Sequence, residues 1–312
     1  MPKSSTRTDP DPTPPRSLTS HPAHGAIALV LGATGIGFAP LWIRSSELGP
    51  FSTAAYRLLF ACPVFYLWRR WELKKAAAAE PVRHPKLEQR DRLWLVLAGL
   101  FFAGDMALWN WSLHLTSVAN STLITNLTPL LVMVGAWFLF RERVTRQYLL
   151  SLPLAFAGVY LLVRPASADA PSHWKGDFIS GIAAFFYAGY LLSLRVIRQR
   201  HSTAGALYGA GVTSCIALFL IAWLAGEPLL PPTPGGWLPL LALGFISHVG
   251  GQGLIAYGFG HVTAAVGSLV LLVQPVVAAA LAWWCLGESM GSLQLAGAVL
   301  VLIGIGVAVR RS

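Results

Sequence analysis

Two stretches of this chain, 146 residues apart, decide its fold. Residues 117–164 read SVANSTLITNLTPLLVMVGAWFLFRERVTRQYLLSLPLAFAGVYLLVR, and residues 263–310 read TAAVGSLVLLVQPVVAAALAWWCLGESMGSLQLAGAVLVLIGIGVAVR. Aligned without a gap, they share eleven identities, including Pro129/Pro275, Trp137/Trp283, Glu142/Glu288 and Gly158/Gly304. Chance could match Ala and Leu in apolar segments, but it would not readily align Pro, Trp, Glu and Gly in one order. The chain is an internal duplication.

The composition places the protein in a lipid bilayer. Of the 312 residues, 55% are hydrophobic and only 12% are charged, and the mean hydropathy is +0.59. Only helices satisfy their backbone within one apolar run in lipid, and a crossing takes about 20 residues. The sequence predicts an all-α integral membrane protein with ten transmembrane helices, at about 25–43, 50–68, 93–114, 117–140, 147–163, 176–194, 204–224, 236–259, 262–286 and 290–309.

The basic residues predict the orientation. With the N-terminus in the cytoplasm, 19 of the 23 Lys and Arg lie in cytoplasmic segments, three lie outside and Arg57 lies within a helix. Positively charged loops stay in the cytoplasm, so we predict that both termini are cytoplasmic. The net charge of +10 is then mainly a topology signal, with contact to anionic lipid secondary, and nucleic-acid binding is not expected.

Each repeat has five helices, so equivalent helices cross in opposite directions and the repeats have inverted topology. Glu142 accordingly falls in a cytoplasmic loop and Glu288 in an external one. The predicted organisation is a disordered cytoplasmic tail (1–24), a first repeat (25–164), an external linker (165–175), a second repeat (176–309) and a cytoplasmic C-terminus (310–312).

Signatures of catalysis and of nucleotide binding are missing from the sequence. It contains no Walker A loop, no H-E-x-x-H and no G-x-S-x-G element. The three cysteines lie in separate helices without metal-binding spacing. We therefore expect no catalytic residue, no metal and no cofactor, and the protein is not expected to be an enzyme.

Two ionisable residues within predicted helices are the sharpest functional signal. A charge at the depth of Asp105 costs roughly 2.5–3.5 kcal/mol unless it faces a cavity or a partner. Asp105 could serve a structural hydrogen bond or pairing, or it could carry a proton or contact substrate. Arg57 could pair with Asp105, bind a substrate carboxylate or extend to the interface.

Further polar and aromatic residues are candidates for lining a substrate cavity, although each could serve in packing alone. His248 and Gln252 are four residues apart on the eighth helix, the counterpart of the helix that carries Asp105. The remaining candidates are Trp42, Trp109, Ser121, Thr125, Tyr187, Tyr190 and Gln274. Pro129 and Pro275 each remove one backbone hydrogen bond at matching places in the two repeats, so they are candidate hinges of broken helices beside a central site.

The paired repeats, the spacing of 13 residues from Pro to Glu in both, and Ala55-Tyr56-Arg57 resemble the drug/metabolite transporter superfamily, in its bacterial branch with paired EamA domains. The resemblance covers about 25–309. It implies a bundle whose cavity is lined by helices 1, 3, 4, 6, 8 and 9. Within that branch the chain is similar to exporters of amino acids, including aromatic ones.

The sequence thus predicts a secondary transporter of the bacterial inner membrane that exports small metabolites by alternating access. Amino acids, including aromatic and apolar ones, are the expected substrates, and protons are the candidate coupling ion. A multidrug, nucleobase or other metabolite exporter of the same fold is the alternative. A membrane enzyme or a channel is a more remote one.

Overall fold

The structure is a computed structural model, and it describes residues 22–78, 87–112, 115–116, 118–142, 145–163, 174–286 and 291–309. These residues form helices joined by turns, and none of the described segments is a strand. Most of the predicted tail (1–24) and linker (165–175), and all of 310–312, lie outside the described residues. Helices nevertheless begin at Pro22 and Trp174, slightly before the predicted boundaries.

The helices follow one another with short connections. The first half of the chain contains α1 (Pro22–Gly37), α2 (Ala39–Arg44), α3 (Pro50–Ala78), α4 (Gln89–Ser112), α5 (Val118–Thr125), α6 (Thr128–Phe140) and α7 (Arg146–Val163). The second half contains α8 (Trp174–Arg198), α9 (Thr203–Leu224), a 3-10 turn (Pro234–Gly236), α10 (Trp237–Ala242), a π-helix (Leu243–Gln252), α11 (Gly253–Gly258), α12 (Ala264–Val270), α13 (Val273–Leu286) and α14 (Ser292–Val309).

Eight helical stretches of the described chain are long and apolar enough to cross a membrane. They confirm the predicted class, an all-helical protein with many membrane-spanning segments. The long helices α3 and α7 are not among the eight, and α3 carries Arg57 in its apolar half. The predicted total of ten therefore stays a prediction.

Two of the crossings are broken at matching places. The first break is a turn at Asn126-Leu127 between α5 and α6, and the second is a turn at Leu271-Leu272 between α12 and α13. Pro129 lies just after the first break, and Pro275 lies just after the second. A proline at the start of a helix loses no bond there, because its N–H would be unpaired anyway. Both breaks leave polar backbone groups near mid-membrane.

The helix pairs that are in contact in one repeat have matching contacts between their counterparts in the other repeat. α7 packs on its counterpart α14, and α3 packs on its counterpart α9. The α4–α8 contact is matched by α1 against the π-helix and α11, and the contact of α8 with α5 and α6 is matched by α1 with α12 and α13. The packing therefore has the internal two-fold relation that a duplicated sequence predicts.

One crossing departs from this symmetry. The counterpart of the regular α4 contains the ten-residue π-helix Leu243–Gln252. α1 packs closely on this segment, since a Cβ on Gly32 would lie 2.7 Å from the Gly251 carbonyl oxygen. π-helical segments are rare and often mark functional sites. The distortion directs attention to His248 and Gln252, the polar side chains at its end.

Candidate functional site

Two buried side chains of opposite charge lie at the centre of the bundle. Arg57 on α3 is 4% exposed, and Asp105 on α4 is 5% exposed. The Arg57 guanidinium donates a weak hydrogen bond from Nη1 to Met106 Sδ at 3.7 Å, and its Nε atom has no partner. It interacts electrostatically with Asp105, Tyr187 and Tyr190. A direct ion pair with Asp105 is one of the roles that the sequence leaves open for Arg57. Among the described contacts no Arg57 nitrogen lies within 4.0 Å of the Asp105 carboxylate.

A row of aromatic rings runs beside these charges. The His248 ring lies between Phe65 and Phe102, with ring centroids 5.7 and 5.5 Å away. Phe102 contacts Tyr190 at 4.5 Å, and Tyr190 stacks on Tyr187 at 6.2 Å. We call these five residues the aromatic row. It joins α3, the π-helix, α4 and α8, so it crosses between the two repeats.

The π-helix contributes polar atoms that are not fully paired. Gln252 donates from Nε2 to the Tyr190 hydroxyl at 3.5 Å, whereas its Oε1 has no partner among the described residues. His248 Nδ1 likewise has no partner in the described part of the chain. An unpaired buried polar atom costs about 1–3 kcal/mol. These unpaired atoms lie near Arg57 and Asp105. A polar ligand or water molecules could form hydrogen bonds with them.

A small cavity lies at the far end of the aromatic row, between the two helix breaks. Its volume is about 30 Å³, and it is lined by Thr125, Asn126, Thr128, Pro129, Tyr187, Ser268, Leu271, Leu272 and Gln274. The Gln274 side chain lies near the Tyr187 hydroxyl. Small-molecule sites usually enclose ~300–1,000 Å³, so this cavity holds about a water or two. In this conformation the cavity is too small for a metabolite.

The structure brings most of the predicted site residues together. Asp105, Tyr187, Tyr190, His248, Gln252 and Arg57 form the central cluster, and Thr125, Gln274 and Pro129 line the cavity at its end. Pro275 follows Gln274 and is buried within α13. Whether these residues bind substrate, and whether the prolines act as hinges, stay predictions.

Ser121, a member of the predicted cavity set, lies in a hydrogen-bonded cluster and is not among the residues that line the small cavity. Its hydroxyl hydrogen-bonds Ser112 at 2.8 Å and accepts from Ser180 at 3.1 Å, and the residue is fully buried. This hydroxyl cluster fixes α5 against α4 and α8. Four residues later the Thr125 hydroxyl donates to the Ser121 carbonyl at 2.8 Å.

The two tryptophans of the predicted set also lie apart from the central cluster. Trp42 is on α2, which packs against α10 and the π-helix, and its buried Nε1 has no partner in the described residues. Trp109 lies one turn from Asp105 on α4 and is half-buried. Neither side chain lines the cavity in this conformation.

Polar contacts close the bundle at both ends. At one end Glu227 accepts the Phe51 and Ser52 N–H groups at 3.2 and 2.7 Å, and Glu47 accepts from the Thr233 hydroxyl at 2.6 Å. At the opposite end Arg200 pairs with Glu88 at 2.7 Å and Asp91 at 3.2 Å. Each set links one repeat to the other.

A second contact at the Arg200 end involves a repeated residue. The Glu142 carboxylate faces the first turn of α12, where Ala264 N–H donates to it at 3.5 Å, and Arg195 lies 4.0 Å away. Burial raises the pKa of the Glu142 carboxyl above its ordinary value. Its repeat counterpart Glu288 lies outside the described residues.

Sequence reasoning missed several residues of this site. Phe65 and Phe102 carried no signal, because an aromatic residue in an apolar run is indistinguishable from packing. The π-helix was also unforeseen, and only the run of glycines Gly244, Gly250 and Gly251 hinted at irregular backbone. Among the described residues, no group of three His, Cys, Asp or Glu could hold a metal ion.

The apolar helices and the buried polar cluster indicate a multi-pass membrane protein. Comparison with known proteins gives its family. A profile of the EamA-like transporter family matches the chain twice, over 23–164 and 174–310. The chain belongs to the EamA-like transporter family, within the drug/metabolite transporter superfamily.

Individual relatives agree with this assignment. The chain is 25% identical to an uncharacterized transporter of Archaeoglobus fulgidus over 92% of this chain and 97% of that protein. It is 27% identical to the riboflavin transporter ImpX of Fusobacterium nucleatum (72% and 79% covered) and 31% identical to a probable amino-acid metabolite efflux pump of Salmonella typhimurium (62% and 69% covered). A crystal structure of a 20% identical protein shares the fold, with a TM-score of 0.70 over 93% of this chain and 96% of the other.

Proposed function

We propose that this transporter exports small zwitterionic metabolites, above all amino acids with aromatic or apolar side chains. The observation that carries the proposal is the unpaired couple of Arg57 and Asp105. A guanidinium and a carboxyl group on adjacent helices, both buried and not in direct contact with each other, match the carboxylate and the ammonium of one amino acid.

The aromatic row supports an apolar or aromatic substrate side chain. Phe102, Tyr190 and Tyr187 present ring faces and edges beside the charges, and aromatic contacts contribute roughly 0.5–1.5 kcal/mol beyond buried area. The partly unpaired Gln252 and His248 can add hydrogen bonds to the substrate. A related probable amino-acid metabolite efflux pump points the same way.

The small size of this cavity and the contacts between the repeats at both ends of the bundle support alternating access. A cavity of about 30 Å³ cannot hold an amino acid, so transport requires that the repeats move apart first at one end and then at the other. We place the Arg200 end in the cytoplasm of a bacterial inner membrane, on the distribution of Lys and Arg. Asp105 is the proposed proton carrier if transport is proton-coupled. No chemical step is needed, which argues against an enzyme.

A second candidate, a flavin or nucleobase exporter, has a specific observation in its favour. A flat ring system could stack along Phe102, Tyr190 and Tyr187, and one relative is named a riboflavin transporter. This candidate makes no use of the Arg57 and Asp105 charges as a pair. A channel is a third possibility, and it would give flux that does not saturate.

The test is counterflow in proteoliposomes. Vesicles are loaded in turn with unlabelled Phe, Met, Trp or Thr, and uptake of the corresponding labelled amino acid is followed, with riboflavin and adenine as competitors. Saturable counterflow that Phe or Met suppresses, and that is lost in both Arg57→Gln and Asp105→Asn, supports the zwitterion carrier.

Two results would change the assignment. Counterflow of riboflavin or adenine with no amino-acid counterflow would favour the second candidate. Amino-acid flux that rises linearly with concentration would favour a channel. Asp177→Asn is the matched control, because it makes the same chemical change outside the cluster, where the carboxamide oxygen can still accept from Thr116.

A further inference from the structure

Two glutamates each join one repeat to the other through the backbone at the start of a helix. Glu227, in the turn after α9, accepts the Phe51 and Ser52 N–H groups of α3 at 3.2 and 2.7 Å. Glu142, in the turn after α6, accepts the Ala264 N–H of α12 at 3.5 Å. The first N–H groups of a helix lack partners within it and carry partial positive charge, so they attract a carboxylate. We call these two residues, at opposite ends of the bundle, the bridging glutamates.

The backbone before each bridging glutamate has the same unusual conformation. Among the described residues, Arg141 (φ 55°) and Gly226 (φ 69°) are the two with a positive φ, and each directly precedes a bridging glutamate. This left-handed conformation ends a helix and turns the chain sharply. Glycine adopts it freely, but at Arg141 it is strained. Strained residues tend to occur at functional sites, and this one places Glu142 beside a helix of the other repeat.

Ordinary helix capping does not explain these contacts, because a cap normally comes from a residue beside the same helix. α12 already has such a cap, since the Thr263 hydroxyl accepts the Val266 N–H at 3.4 Å. At the start of α3, Gly49 makes room for the carboxylate of the other repeat. A Cβ at Gly49 would lie 2.6 Å from each carboxylate oxygen of Glu227. A side chain at this position would therefore displace Glu227 from α3.

Both helices that the bridging glutamates contact lead to the centre of the bundle. α3 carries Arg57, which follows Ser52 by about 7.5 Å along the helix. α12 ends at the helix break where Leu271 and Leu272 line the small cavity, about 10 Å from Ala264. A movement of either helix at the centre would therefore reach the glutamate at its end.

We propose that Glu142 and Glu227 are the gate residues of the transporter: each holds the two repeats together at its own end, and the two contacts break in alternation. This inference rests on the alternating access of the proposed function and specifies which contact must break at each end. The Glu142 contact breaks when substrate enters from the cytoplasm, and the Glu227 contact breaks when substrate leaves on the outside.

The test measures distances at both ends by pulsed EPR in proteoliposomes, with no substrate present. In a chain with its native cysteines replaced, spin labels at Leu139 and His261 report the distance between α6 and the turn before α12. Labels at Ser45 and Leu224 report the distance between the turn before α3 and the end of α9. All four side chains are at least partly exposed, so labels fit there.

Glu142→Ala should lengthen only the distance between α6 and α12, and Glu227→Ala only the distance between α3 and α9. A hydrogen bond to a charged group is worth about tenfold or more in an equilibrium, so the open population at the altered end should rise by about that factor. Glu142→Gln should recover part of the closed population, because its carboxamide oxygen can still accept the Ala264 N–H. Gly49→Ala should reproduce Glu227→Ala with Glu227 still present.

Each bridging glutamate is the control for the other. A general loss of packing would lengthen both distances in either alanine variant, and that result would overturn the proposal, as would unchanged distances in both. Gly235→Ala is the control for Gly49→Ala and should move neither distance, because a Cβ at Gly235 would meet only the Thr233 hydroxyl, at 3.6 Å.

The proposal stays testable if a variant does not fold. Glu142→Asp withdraws the carboxylate from α12 and replaces Glu142→Ala, and Gly49→Ala replaces Glu227→Ala. Because no substrate is present, absence of amino-acid counterflow would overturn the proposed substrate without touching the gate residues. Saturable counterflow with unchanged distances would remove the gate residues and leave the amino-acid carrier in place.

Discussion

At the scale of single residues, the substitution Asp105→Asn tests whether the Asp105 carboxyl group has a structural role or takes part in transport. Asp105→Asn removes a buried charge that has no hydrogen bond from the described residues, which favours the folded state, but it also removes the interaction of that charge with the buried Arg57. Because these effects oppose each other, we expect the protein to fold with little change in thermal stability in detergent. A lost charge-assisted bond to the substrate ammonium would reduce amino-acid counterflow roughly 10- to 100-fold. Counterflow at the wild-type rate across the pH range would remove Asp105 from both binding and proton coupling.

Phe102 tests the aromatic row by itself. Phe102→Leu keeps an apolar side chain but loses the ring contacts to His248 and Tyr190. We expect the preference for Phe over Thr in counterflow competition to fall roughly 2- to 10-fold, with Thr transport little changed. Phe101→Leu is the matched control, because the Phe101 ring contacts Phe186 and not the row. An equal loss in both variants would indicate general packing.

At the scale of secondary-structure elements, Ser121 tests whether α5 is held by its hydroxyl cluster. Ser121→Ala removes hydrogen bonds to Ser112 and Ser180 on neighbouring helices, so we expect a loss of about 0.6 kcal/mol, and at most about 1.7 kcal/mol. The KM for amino acids should not change. Ser193→Ala is the control, since that hydroxyl bonds only the Gly189 carbonyl of its own helix. A changed KM in Ser121→Ala would return Ser121 to the cavity.

The contact between α7 and α14 depends on glycines. A Cβ at Gly297 would lie 2.6 Å from the Gly158 carbonyl oxygen and 2.7 Å from the Leu162 nitrogen. Gly297→Ala must push the helices apart, and we expect a loss of about 1–3 kcal/mol of stability. Gly306→Ala on the same helix meets no atom and should be neutral or stabilising. Thermal unfolding of the two variants in one detergent makes the comparison.

These elements also show how far the sequence could lead. The offset of 146 residues predicted two breaks at matching positions, because identical prolines act on identical local backbone, and the turns at 126–127 and 271–272 lie within one residue of that match. The sequence could not predict the contacts of Ser121, since a position on a helix does not reveal which neighbouring helix that side of it will contact. The sequence did not predict the π-helix, which packs closely on α1 at Gly251 through contacts that only the folded bundle contains.

At the scale of the whole molecule, the contacts between the repeats at both ends of the bundle indicate which movements transport would require. The contacts of Glu227 and Glu47 link α3 and the turn before it to the loop before α10, and those of Arg200 link α4 to the turn before α9. Each set spans both repeats, so the proposed alternating access requires each set to open when its end admits substrate. The hydrogen bond from Arg200 holds the pKa of the Glu88 carboxyl below its ordinary value. The stabilisation that the Arg200–Glu88 pair gives to this end of the bundle is present at neutral pH. It is lost only as the pH falls through the lowered pKa of Glu88.

Removal of Arg200 should therefore shift the molecule towards opening at that end. In a chain with its native cysteines replaced, spin labels at Arg90 and Gln199 report the distance between α4 and the turn before α9. We expect Arg200→Gln to move this distance distribution to longer values and to leave the opposite end unchanged. Because the Arg200–Glu88 pair is exposed, high salt should produce part of the same shift in the wild type.

Arg92→Gln is the control for this experiment, because it removes one positive charge at the same end without breaking the pairs with Glu88 and Asp91. A shift of equal size in Arg92→Gln would assign the effect to the lost charge. An unchanged distribution in Arg200→Gln, together with unchanged counterflow, would mean that these contacts are incidental. The closed state would then depend on other contacts between the helices. The contact of Glu142 with α12 would be the next one to test by substitution.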